Sequence, residues 1–150
     1  MRTFKMGPLR KVGNVMIGAL ARAGIGPGYL HILTTLGRKS GLPRSNPVML
    51  VIEQDRRWLV APYGHVEWVK NARASGHVTL SRGRRRTEYR IRQIEDDAAG
   101  RILKKYVKKA PIMIPYFEVG LASSEEEFAT EARDHPVFEL LPSTTEDVRN

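Results

Sequence analysis

Residues 34–47 read Thr34-Thr35-Leu36-Gly37-Arg38-Lys39-Ser40-Gly41-Leu42-Pro43-Arg44-Ser45-Asn46-Pro47. Apolar residues lead in (Leu30, Ile32, Leu33) and lead out (Val48 to Ile52), as strands would. Between them, two glycines and a proline make a tight connection that carries Arg38, Lys39 and Arg44, with the hydroxyls of Ser40 and Ser45 beside them. Glycine permits positive φ and proline fixes its own, so such a turn can hold side chains against a ligand. Guanidinium, ammonium and hydroxyl donors grouped this way suit a phosphate or a carboxylate. The competing reading is a solvated hairpin turn that is basic by chance, and spacing alone leaves both open.

Other chemistry is narrowed by what the 150 residues contain. There is no cysteine, which excludes disulfides, thiolate metal sites and a cysteine nucleophile. The four histidines (His31, His65, His77, His135) fall at no metal-ligand spacing, so no metal site is expected. Lys and Arg number 25 against 16 Asp and Glu, a net charge of +9 that favours an anionic partner. Nearly all the cations precede residue 110, whereas Glu125, Glu126, Glu127 and Glu131 make the C-terminal part acidic. The anionic partner is therefore expected on the N-terminal two-thirds.

The elements that position these residues follow from periodicity. Leu9, Val12, Met16 and Leu20 predict an amphipathic helix over about 8–23, ended by Gly24, Gly26, Pro27 and Gly28. Its cations Arg10, Lys11 and Arg22 would suit an anionic membrane surface, but a basic helix also simply covers a sheet. The N-terminus imitates a secretory signal, yet charges interrupt its apolar run and no segment reaches the ~18 apolar residues of a membrane span. The expectation is a cytoplasmic protein, with peripheral membrane contact through the first helix left open.

Strands are predicted near 30–36, 46–54, 58–61, 77–81, 86–94 and 137–141. Helices are predicted over 66–74, 95–109 and 124–132, the last capped by Ser123 or Ser124. The apolar stretch Pro111–Phe117 is bracketed by prolines and is neither a helix interior nor a central strand. The pattern is one domain over 1–150, with 1–27 as an N-terminal helix and loop. Its class is mainly β (α+β), antiparallel strands in hairpin order with covering helices. No GxGxxG or P-loop occurs, so dinucleotide binding of the Rossmann type is unsupported.

The run 34–47 resembles the T-T-x-G-R-K-S/T-G-x-x-R-x-x-P signature of deazaflavin-dependent nitroreductases and quinone reductases. Trp68-Val69-Lys70-Asn71-Ala72-Arg73-Ala74 resembles the W-x-x-N-L-x-A segment that follows it in that family. Order and spacing agree over roughly residues 28–95, and Asp134 to Leu140 resembles an ending found in one branch. The resemblance implies a split β-barrel and coenzyme F420, a 5-deazaflavin with a phosphate and an oligoglutamate tail. By position, Arg38, Lys39 and Ser40 would contact the phosphate or tail. Arg44, Ser45, Asn46, Pro47, Val48 and Met49 would line the cofactor. Ala61, Pro62 and Tyr63 would flank the ring, and Trp68, Lys70 and Asn71 would close the far side.

The implied reaction is hydride transfer to an activated alkene or quinone, followed by protonation. Tyr63 and Tyr116 are the candidate proton donors, with His65 third; each also reads as an ordinary core, rim or loop residue. Met113, Tyr116 and Phe117 are the candidate substrate wall. Where the nitroreductase branch has a Ser-Lys pair this chain has Tyr63-Gly64, and it has a single tyrosine in 110–117. An apolar acceptor is therefore expected over a nitro compound.

Two other classes stay in view: a non-catalytic carrier of a lipid or tetrapyrrole-like ligand in the same barrel, and a basic nucleic-acid-binding barrel. The latter should interleave aromatics with cations on exposed strands. Aromatics are only 7% here and mostly lie outside the basic turns, so no nucleic-acid partner is expected. Monomer and homodimer are both compatible with the sequence.

Overall fold

The computed structural model describes residues 28–143. The expected N-terminal helix over 8–23 lies outside the described residues. In chain order the elements are β1 (Leu30–Leu36), β2 (Pro43–Glu53), β3 (Arg56–Val60), α1 (Glu67–Ser75), β4 (His77–Arg82), β5 (Arg85–Gln93), α2 (Asp96–Lys109), a 3-10 helix (Pro111–Tyr116), α3 (Glu125–Ala129) and β6 (Val137–Pro142). The strands hydrogen-bond in the closed order β1-β2-β3-β6-β5-β4: the antiparallel pairing expected from the sequence, closed into the barrel that the resemblance implied. Contacts group the described chain into two units. One comprises 28–49, Glu67–Arg92 and 140–143; the other comprises Leu50–Val66 and Gln93–Glu139.

In the first unit, β1 pairs with β2 on one side and β4 on the other. Ile32 and Leu33 are consecutive and both buried, so β1 is covered on both faces. α1 packs on β1 and β4 and buries Trp68, Val69 and Ala72. β2 starts at Pro43, three residues earlier than its apolar run suggested, because pairing continues to Leu36 opposite Pro43. Proline is tolerated as a first strand residue because it needs no ladder donor there. Arg44 therefore sits on a strand, opposite Thr35, rather than in the turn.

In the second unit, Leu50 and Val51 of β2 pair with Leu59 and Trp58 of β3. Trp58 is buried, with the Arg56 and Arg101 guanidiniums 4.8 and 5.6 Å from its ring. Those cations pair in turn with Glu139 and Glu53. α2 buries Ile102, Leu103, Tyr106 and Val107, and packs on α3, the 3-10 helix and β3. Gly100 permits the approach to α3: a Cβ there would stand 2.3 Å from the Glu125 carbonyl oxygen.

α3 begins with a full capping box between Ser124 and Glu127. It stops at Ala129, three residues short of expectation. The Thr130 hydroxyl bonds the Glu127 carbonyl, and Glu131, Ala132 and Asp134 continue as tighter i→i−3 turns. The stretch Pro111–Phe117, expected to be neither helix interior nor central strand, instead forms a short 3-10 helix over Pro111–Tyr116, with Pro111 in its first turn and Pro115 inside it.

Candidate active site

The turn between β1 and β2 is closed by two backbone bonds, Gly37 N–H to Leu42 O and Gly41 N–H to Gly37 O, both 2.8 Å. Gly41 has φ +71°, the conformation glycine adopts freely. The Ser40 hydroxyl folds into the turn and accepts the Leu42 N–H at 3.2 Å. It occupies the space a side chain at Gly37 would need, 2.5 Å from a Cβ built there. Ser40 thus braces the turn that presents Arg38 and Lys39.

α1 supplies the opposite wall. Asn71 is 3% exposed, and its amide oxygen accepts both the Arg38 backbone N–H (3.1 Å) and the Arg38 guanidinium (2.9 Å). Its amide nitrogen faces the Thr35 hydroxyl at 3.5 Å. One turn earlier, Glu67 takes a 2.6 Å hydrogen bond from the same guanidinium. That bond and the Arg38 charge hold the Glu67 carboxyl below the usual carboxylate range, with Lys70 and Lys39 adding smaller contributions.

Between these walls lies a cleft of about 830 Å3. The structure brings Arg38, Lys39, Ser40, Arg44, Ser45, Asn46, Trp68 and Asn71 into its lining, together with Gly37, Pro43 and Glu67. With three cations against one acid, its lining carries a net positive charge. Arg38 is already engaged, whereas Lys39 and Arg44 form no ion pair among the described residues. Pro47, Val48 and Met49 lie further along β2 and are not part of that lining: Pro47 and Val48 oppose Ile32 and His31, and Met49 packs on Leu30 and Ile32. Lys70 points outward on α1, 3.9 Å from Glu67.

The remaining candidates belong to the other unit. Ala61 is buried just after β3; its N–H bonds Pro136 O (3.0 Å), and its carbonyl accepts the Gly64 N–H (3.2 Å). Tyr63 and Tyr116 meet edge to face, centroids 5.0 Å apart at 77°. Met113 and Tyr116 are half-buried on the 3-10 helix, and Phe117 is buried against Phe128 and His135. His65 is exposed and bonds the Arg133 carbonyl (2.6 Å). Burial pushes the Tyr106 phenol well above the ordinary tyrosine range, and nearby Tyr63 adds to it, so this hydroxyl stays protonated.

Sequence reasoning missed Glu67 and the buried pair Glu131 and His135. The four-residue step from Glu67 to Asn71, on the helix facing a basic turn, was a readable signal for the first. Glu131 and His135 share the same four-residue step, but the Ala61 and Phe117 contacts of His135 are distant in sequence.

A family model described as F420H(2)-dependent quinone reductase matches residues 13–117, which include both the cleft and the tyrosine pair. The chain belongs to this family. It is an F420-dependent reductase, and the positive lining of the cleft is chemically compatible with an anionic cofactor. No curated protein matches it.

Among solved structures, an F420-H2 dependent reductase, FDR-A, is similar at 23% identity and TM-score 0.54, over 75% of this chain and 94% of its own. A protein described as a domain-swapped dimer is similar at 22% and 0.57, over 88% and 96%. HutZ, a heme storage protein from Vibrio cholerae, is similar at 11% and 0.55, over 94% and 92%. At these identities the likeness speaks for the barrel alone, which serves a reductase and a storage protein alike. Family membership carries the reductase assignment. Among the described residues no helix is long and apolar enough to cross a membrane.

Proposed function

We propose that this reductase acts on apolar electrophiles, quinones or α,β-unsaturated carbonyl compounds. The observation that carries the reading is the edge-to-face pair of Tyr63 and Tyr116 beside the apolar segment 111–117. Lys39 and Arg44 hold the anionic end of F420, with Arg38 held in place by Asn71 and Glu67, and Ser45 and Asn46 adding hydrogen bonds. Trp68 walls the cleft. Ala61, Pro62 and Tyr63 border the ring, and Met113, Tyr116 and Phe117 receive the acceptor. Bound in reduced form, F420 supplies the hydride. On the protein side, the Tyr116 phenol then donates a proton to the oxyanion left on the acceptor, with Tyr63 held against its ring to keep it aimed. Such general acid assistance contributes ~10²–10⁴-fold.

The test is anaerobic oxidation of reduced F420, followed by absorbance, against a quinone, an enone and a nitroimidazole. Faster turnover with the first two is expected. Tyr116→Phe should lower kcat far more than it raises KM, because the proton is delivered only in the transition state. A clear preference for the nitroimidazole would overturn the reading, and an unaffected Tyr116→Phe would remove Tyr116 as donor.

A further inference from the structure

We infer that His135 is a positioning residue for the reaction, holding the Ala61–Tyr63 segment and the Phe117 wall in register. The inference rests on the proposed reading of Ala61–Tyr63 as the border of the cofactor ring.

His135 is 1% exposed, yet three different parts of the chain converge on it. Its Nδ1 lies 3.3 Å from the Ala61 carbonyl, which can only accept, so the proton is on Nδ1. Its ring stacks on Phe117, centroids 4.1 Å apart at 27°. Its Nε2 faces a Glu131 carboxylate oxygen at 3.7 Å, and the other Glu131 oxygen accepts the Glu118 N–H at 2.6 Å. The next residue, Pro136, accepts the Ala61 N–H. The imidazole and its neighbours therefore tie both peptide groups of Ala61 to the first residues after the 3-10 helix.

The first segment ends in Tyr63 and the second follows directly on Tyr116, the last residue of the 3-10 helix; these are the two rings that touch. Neither segment has regular secondary structure to fix it: Ala61 follows the last residue of β3, and Phe117 follows the 3-10 helix. The directed N–H sets the distance and orientation of the Ala61 segment, and the aromatic stack adds contact on the Phe117 side. Misplacement of reacting groups by about an ångström can cost on the order of 10²-fold in rate.

Two variants separate the donor from the ring. His135→Phe keeps the stack on Phe117 and loses the bond to Ala61; His135→Gln keeps a donor for Ala61 and loses the stack. In the full-length protein without ligand, ¹⁵N spectra of the wild type should show the neutral Nδ1–H tautomer. Ring-to-ring cross-peaks between Tyr63 and Tyr116 should persist in His135→Gln and vanish or weaken in His135→Phe. With reduced F420 and menadione, His135→Phe should lose on the order of ten-fold in kcat with KM for the cofactor within about two-fold, and His135→Gln should recover most of it.

An Nε2–H tautomer, unchanged cross-peaks in His135→Phe, or equal loss in both variants would overturn the inference. If the wild type turned over no acceptor, the proposed function would fail, while the tautomer and the cross-peaks would still decide the role of His135.

Discussion

Asn71→Ala tests whether the cleft is assembled before any ligand arrives. In the native protein one buried amide oxygen accepts two donors from Arg38, at 3.1 and 2.9 Å, and the amide nitrogen reaches Thr35 at 3.5 Å. Losing the bond to the backbone N–H is worth about 1 kcal/mol. The charged bond would be worth more if buried, but Arg38 is 28% exposed, and water replaces much of it, leaving about 1 kcal/mol. The Thr35 contact is too long to add much, and the small void adds a few tenths, for a total of about 2–2.5 kcal/mol. With a urea slope of about 2 kcal/mol per molar, the denaturation midpoint should fall by about 1 M. Since folding stabilities run ~5–15 kcal/mol, the variant still folds.

Affinity for oxidised F420, read by fluorescence titration, should fall by roughly three- to ten-fold as Arg38 loses its anchor. Asn71→Asp separates the two effects. It keeps an oxygen that accepts both Arg38 donors, so the midpoint should stay near wild type, but it places a second carboxylate on Arg38 and should weaken binding at least as much. Wild-type affinity in Asn71→Asp would refute the assignment of Arg38 to the anion site. An unmoved urea midpoint in Asn71→Ala would refute its role as a strut.

Replacing Arg38 and Lys39 together by Ala should weaken F420 binding by roughly ten- to a hundred-fold and flatten its salt dependence, with circular dichroism unchanged. Gly100→Ala should lower stability by ~1–3 kcal/mol in urea titration, because its Cβ meets the backbone of Glu125 and Ala129 rather than a movable side chain. Burial holds the His135 imidazole below its ordinary value near 6.5, against the opposing pull of the Ala61 and Pro62 carbonyls and of Glu131 and Asp134. The unfolded chain then binds the extra proton first, so this contribution to stability is complete above about pH 6.5 and declines as pH falls through the window below it. Urea midpoints from pH 7.5 down to 5 should fall more steeply for the wild type than for His135→Gln.

What could be read in advance was local. The three-four spacing of Ile102, Leu103, Tyr106 and Val107 is written in nearby residues, and the structure follows it; β5 forms as a strand, although its residues do not alternate between buried and exposed. The start of β2 is not written locally, because Pro43-Arg44-Ser45 has neither apolar alternation nor strand preference; pairing with Leu36, Thr35 and Thr34 makes it a strand. The site divides in the same way. Cations at a glycine-rich turn announced an anion clamp. The partners of Arg38 did not announce themselves, because Glu67 and Asn71 lie about thirty residues away and meet it only once α1 packs on β1. The contacts of Tyr63 with Tyr116 and of His135 with Ala61 are equally non-local.

In the proposed site the three cations divide between two tasks. Arg38 is held from both its backbone and its guanidinium, so little of its freedom remains to be lost when an anion arrives. Its charge is already tempered by Glu67, an exposed carboxylate that can yield to a better partner. Lys39 and Arg44 carry the uncompensated charge, one on the braced turn and one on the strand opposite Thr35. An ordered cation sets where the ligand sits, and the unpaired ones supply attraction that reaches further and is screened by salt. Glu67→Gln should therefore raise F420 affinity by roughly two- to five-fold at low ionic strength and leave it nearly unchanged at high salt, where the same carboxylate is screened. A gain that persisted undiminished at high salt would mean that Glu67 competes for Arg38 through its direct hydrogen bond rather than through screened charge.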